Sequence, residues 1–165
     1  MNQQVSIEVL NATEGSKVWE ELRQYLQECS RGKRRIPDLL VVVKDGKCEG
    51  SKQVRRRIQE LVRKCAPAIP QLVSAVPDPH IERWYLEDQK ALKAVLPGVR
   101  TQKRKYKCEK ERYKNALLEA IYKAGVVPLS GGAEYGERIA QELDPSRMDL
   151  SFQTFFRELQ QAFRR

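Results

Sequence analysis

The chain has 165 residues, 32% of them charged, and a net charge of +9. That length suits one domain able to bury roughly 70% of its unfolded surface, so neither a disulfide nor structural zinc is needed for folding. A single histidine, His80, and four cysteines with no CxxC pair exclude a zinc site of the usual type. No apolar run is long enough to span a membrane and the N-terminus does not read as a signal peptide, so a soluble, cytoplasmic protein with reduced, structural thiols is expected.

In chain order the first half reads β-α-β-α-β. Strands are expected at Val5–Leu10, Leu39–Lys44 and Gln71–Val76. The unbroken apolar run from Leu39 to Val43 fits a strand covered on both faces. Helix one, from about Ser16 to Cys29, carries Val18, Trp19, Leu22, Tyr25 and Leu26 at helical spacing. A second helix runs from an N-cap at Ser51 to near Cys65, with Val54, Ile58, Leu61 and Val62 inward and Arg55, Arg56 and Arg63 outward. Asp78-Pro79 reads as an N-cap followed by an N1 proline, so a helix with Trp84 and Tyr85 in the core begins at once. It continues or restarts through Val95, and Pro97-Gly98 stops it. Further helices are expected at Cys108–Ala124, Ala133–Leu143 and Ser151–Phe163, the first ended by Gly125 and the last burying Phe152, Phe155 and Phe156. The division is a core with its following helix over 1–96 and a helical portion over 97–165, packed as one compact domain.

Each expected strand runs out onto an acid: Glu14, Asp45 and Asp78. Strand–helix–strand crossovers leave strands parallel, which places the three carboxylates along one sheet edge. Magnesium or manganese takes oxygen ligands and keeps several waters, so such a row is a candidate metal site for Glu14, Asp45 and Asp78. Beside it, Asp45, Glu82 and His80 are the catalytic candidates, with Glu82 as a base and His80 as a proton carrier. Taken singly, each has an ordinary structural use. Asp78 would be a helix cap, Asp45-Gly46 a tight turn, Glu14-Gly15 a helix start and His80 a packed polar residue. Arg83 is expected to pair with Glu87 at i,i+4, and Glu134 to be a plain first-turn glutamate.

The positive charge is clustered from Lys44 to Lys64 and from Arg100 to Lys114, which points to a polyanionic partner. Lys47, Lys52, Arg55, Arg56, Lys103, Arg104 and Lys105 are the candidate nucleic-acid contacts.

The segments Pro37–Cys48, Pro77-Asp78-Pro79-His80-Ile81-Glu82-Arg83-Trp84, Gly131–Tyr135 and Ser151–Phe156 together resemble a poorly characterised group of bacterial Toprim-like proteins. The resemblance covers about residues 37 to 160. It implies a Toprim-like, Rossmannoid α/β fold: a small, mostly parallel sheet with flanking helices and a helical C-terminal half. It also implies metal-dependent processing of nucleic acid as a nuclease-type component, with DNA ahead of RNA as the expected partner and the choice between them left open by the residues. Relatives such as the overcoming-lysogenisation-defect nucleases, and an SMC- or ABC-type ATPase partner in defence against foreign DNA, belong to the same picture. A Toprim site carries Asp-x-Asp; here Lys47 stands at the second acidic position. The alternative function is a catalytically inactive adaptor that binds nucleic acid or the ATPase.

Overall fold

The computed structural model describes residues 5–12, 17–100, 105–109 and 111–164. Among them are seven α-helices and one two-stranded parallel sheet, an α/β arrangement rich in helix. The sheet half contains α1 (Val18–Ser30), β1 (Leu40–Val43), α2 (Ser51–Cys65) and β2 (Leu72–Ala75). Then follow α3 (Ile81–Glu87), α4 (Gln89–Val95), α5 (Arg112–Lys123), α6 (Gly136–Glu142) and α7 (Leu150–Phe163).

The two strands pair from Leu40 with Leu72 to Val43 with Ala75, and α2 is the connection that returns the chain to the same edge. α1 buries Leu22, Leu26 and Cys29, and α2 buries Val54, Ile58 and Val62, each set spaced along one helical face. Leu22, Leu26, Val54, Ile58 and Val62 meet Val42 of β1 and Val76, just after β2, in one apolar cluster. α2 starts at Ser51 itself, after Gly50 at φ +87°; the serine expected to cap the helix is its first residue and caps nothing.

On the opposite face α7 lies across β2 alone. Trp84 meets the Phe152 ring edge-on at 5.0 Å and stacks with Phe155 at 5.9 Å, and its indole N–H donates to Ser151 Oγ. Ala75 and Met148 complete this cluster. The third cluster joins Leu86, Leu92 and Val95 with Tyr113, Leu117, Ile121 and Ile139, so α3 to α6 share one core.

Four expectations are corrected here. Residues 5–10 form no strand: Val5, Ile7, Val9 and Leu10 are exposed, and β1 pairs only with β2 among the described residues. An apolar alternation makes a strand only where a ladder partner and a covering face are both supplied. β1 is covered on one face rather than two, because α7 stops at β2; Val43 is 62% exposed. The doubly covered strand is β2. Asp78 does not cap α3: the Asp78–Pro79 peptide is cis, the helix begins at Ile81, and His80 holds the N-cap position. Finally, Cys48 and Cys108 are joined in a disulfide, leaving Cys29 and Cys65 free.

Candidate functional site

Beyond the last ladder pair, the loops after β1 and β2 run side by side. The amide of Lys44 donates to Ala75 O, that of Gly46 to Pro77 O at 2.7 Å and that of Lys47 to Pro79 O at 2.9 Å. The alternation of β1 carries through this point: Leu40, Val42 and Lys44 share the inward parity, so the Lys44 side chain is buried although it belongs to the basic cluster. Its ammonium donates to Asp45 O and lies 5.3 Å from the centre of the Trp19 ring. Burial, then the charge of Lys47, lowers its pKa from the ordinary lysine value.

Asp45, of opposite parity, turns outward and stays partly exposed. Its Oδ1 accepts from the Ile81 amide at 3.2 Å, and its Oδ2 lies 3.3 Å from His80 Nδ1. The residue that caps α3 from outside is therefore Asp45, thirty-odd positions upstream in the chain, and not Asp78. With Nδ1 directed at a carboxylate, His80 keeps Nε2 for another partner. Glu82 is half-buried in the first turn of α3. Burial, then the charges of Glu82 and Asp45, raises the Tyr85 hydroxyl above the ordinary tyrosine range.

Asp78 faces the other side of the same loop and is buried. Its Oδ1 accepts from the Cys48 amide at 3.0 Å and its Oδ2 from the Tyr106 hydroxyl at 2.8 Å. Burial, then the hydrogen bond to Asp78 and that carboxylate's charge, raises Tyr106 in turn. Lys47 at φ +45° and Cys48 at φ +70° are consecutive left-handed residues, a conformation non-glycine residues adopt only when the surroundings hold it. The Asp78 carboxylate on the Cys48 amide is one such hold. Gly46 leaves the room for it: a Cβ there would overlap Asp78 Oδ1 and stand 2.9 Å from Asp78 Cβ. Arg83 closes the back of the cluster. It donates to Asp78 O, pairs with Asp149 at 2.7 Å and lies 4.9 Å from the Tyr106 ring centre.

The expected site residues therefore divide. Asp45 and His80 are in contact, Glu82 follows two residues later in the first turn of α3, and Asp78 is close in the chain path but occupied at both oxygens. Glu14, Lys103 and Arg104 lie outside the described residues. Lys47, Lys52 and Lys105 are exposed, and Arg56 is exposed with an i,i+4 pair to Glu60. Arg55 turns inward instead, donating to Ser74 O at 2.8 Å and pairing with Glu158. It ties α2 to β2 and α7, and the outward position expected for it is corrected. The Glu134 carboxylate accepts from the amides of Leu129, Ser130 and Gly132. That is a loop clamp, which its place at the start of a short helical turn did not reveal. Gly136, two residues on, sits where a Cβ would come 2.7 Å from the Tyr85 hydroxyl.

Sequence reasoning missed Tyr106, because it reaches the edge from a segment with no local motif, and gave Tyr85 the core place it holds. Among the described residues no group of three or more His, Cys, Asp or Glu is placed to hold a metal ion. Asp45 and Glu82 are the carboxylates left partly exposed there, Asp45 with its oxygens already engaged by Ile81 and His80; two are fewer than a closed all-protein cage and within what magnesium uses alongside phosphate and water. No helix of the described residues is long and apolar enough to cross a membrane. No family model, curated protein or solved structure matches the chain.

Proposed function

We propose that the chain is a Toprim-like, nucleic-acid-processing protein acting on DNA, with its site at the strand-end edge around Asp45. The observation that carries this reading is the contact of Asp45 with His80 beyond the ends of two parallel strands, beside exposed Lys47 and Lys52. Asp45, with Glu82, would hold magnesium or manganese, which when bound neutralises charge on a phosphodiester and activates water. The chain's own residues do the rest. Asp45 orients the His80 ring, whose Nε2 would take or give a proton. Lys47 and Lys52, near the N-terminus of the fifteen-residue α2, attract the phosphate backbone. An SMC- or ABC-type ATPase partner belongs to the same proposal on the strength of the resemblance alone, and a cytoplasmic place of work on that of the sequence.

The test is calorimetric titration of Mn²⁺ into the chain and into its Asp45→Ala variant. Binding in the parent that is lost in the variant supports the site, and DNA cleavage by the parent alone would extend it. Equal binding by both, or none by either, ends the metal reading.

A second reading is an adaptor that binds DNA without cutting it. Lys47 at the second acidic position favours it, as does the commitment of both Asp78 oxygens to Cys48 and Tyr106. DNA bound without metal and left intact is the result that selects it.

A further inference from the structure

The two basic clusters are far apart in sequence, and the structure joins them at one covalent point. Cys48, in the loop after β1, is bonded to Cys108, just before α5, across a sequence separation of 60. Their Cα atoms are 5.7 Å apart, inside the usual range for a disulfide. Both cysteines are exposed, whereas free Cys29 is buried and Cys65 half-buried. Lys47 flanks one half of the bond, Lys107 flanks the other and Lys105 is close by, all three exposed. The same junction is tied by Asp78, which accepts from the Cys48 amide and the Tyr106 hydroxyl, and by Arg83 at the Tyr106 ring. Bringing lysines from two segments together costs like-charge repulsion, which a covalent link offsets and a phosphate backbone relieves.

We propose that Cys48 and Cys108 are a reversible redox pair that joins the two basic segments into one surface, so that the oxidised chain binds DNA more tightly than the reduced chain. This rests on the nucleic-acid reading above and assigns that site its regulation. Closure proceeds by exchange with a small-molecule disulfide. One thiolate attacks it, forming a mixed disulfide and expelling one small thiolate; the second cysteine thiolate then displaces the other. One S–S bond forms in the protein as one breaks in the oxidant, two electrons pass to it, and both thiols give up their protons. The neighbouring lysines favour the attacking thiolates. A dithiol reverses the sequence. Opening leaves residues 105–109 held beside the loop at 46–48 by the contacts of Tyr106 with Asp78 and Arg83 and no longer by a covalent link, so that more of the basic surface must be ordered on each binding event.

The test compares the chain after glutathione disulfide with the chain after dithiothreitol. Thiols are mapped by iodoacetamide labelling and mass spectrometry, and binding of a short fluorescent DNA duplex is read by anisotropy at low salt. The expected result is a Cys48–Cys108 bond in the oxidised chain and about tenfold weaker DNA binding on reduction, on the order of a few ordered side chains. Cys108→Ser should bind as the reduced chain does under both treatments; the position is exposed, and circular dichroism checks its fold. Free thiols at both positions after glutathione disulfide overturn the pairing. A bond that forms without changing DNA affinity overturns its role. DNA bound by neither state, with the bond formed, overturns the nucleic-acid reading instead.

Discussion

At the scale of single residues, Gly46 and Asp88 show how polar groups are held in place by neighbours distant in sequence. Gly46 is one side of the closest fit, since any side chain there meets Asp78. Gly46→Ala should cost about 1–3 kcal/mol, the range for overpacking a tight site, read as a lower midpoint in urea. It should also loosen the Asp78–Tyr106 contact, visible as a fall in the tyrosine's elevated pKa by ultraviolet titration. Asp88 is the buried counterpart in the helical half. It accepts from the amides of Lys90, Ala91 and Asp144 and from Arg147. Burial works against its ionisation, but those hydrogen bonds prevail and hold its carboxyl below the ordinary aspartate value. A depressed folded pKa means stability that is fully present above the unfolded value of about 3.9 and lost as pH falls through the folded one. Asp88→Asn should therefore lower stability at neutral pH by about 2–3 kcal/mol, and flatten the loss of stability below about pH 4, both measured by denaturant unfolding across pH.

Among the elements, α7 and β2 form the contact that decides which strand is interior. The aromatic group of Trp84, Phe152 and Phe155 covers Ala75, and Arg55 reaches across from α2 to Ser74 O and Glu158. Phe152→Ala should cost about 3–5 kcal/mol, as large aromatic truncations in cores do, with loss of near-ultraviolet circular dichroism from Trp84. Because Arg55 and Glu158 are in direct contact, a double-mutant cycle on the pair should give a coupling of about 1 kcal/mol. A coupling near zero would return Arg55 to the surface role its sequence position implied. β1 has no such cover on its second face, which is why Val41 and Val43 remain exposed although five apolar residues run together there.

For the molecule as a whole, the Cys48–Cys108 bond closes a loop that spans α2, β2, α3 and α4. In the chain-entropy account a closure of that length stabilises by roughly 4 kcal/mol through the unfolded state. Reduction should accordingly lower the urea midpoint, and Cys108→Ser should abolish the difference between oxidised and reduced chains. The charge distribution sets a second global property. Binding that makes about six phosphate contacts should weaken by roughly three orders of magnitude between about 50 and 200 mM salt. Lys47→Ala and Lys52→Ala should each reduce the slope by about one.

Much of this was legible in the residues themselves. Helical spacing located Leu22 and Leu26, then Val54, Ile58 and Val62, as inner stripes, and the apolar runs marked β1 and β2. The turn chemistry of Gly125 and the acids that follow β1 and β2 were also plain, since all of these depend on local periodicity and backbone preference. Where a polar side chain ends up was not legible, because that depends on what the fold brings beside it. Asp45 took the capping role expected of Asp78, Arg55 turned inward to Glu158, Cys48 found Cys108, and Val5–Leu10 gained no ladder partner. The sequence by itself determined which segments become helix and which of their faces are apolar, through interactions spanning a few residues. Only the tertiary structure decided the partners of its charges, cysteines and strand edges, because each of those choices requires two distant segments to meet.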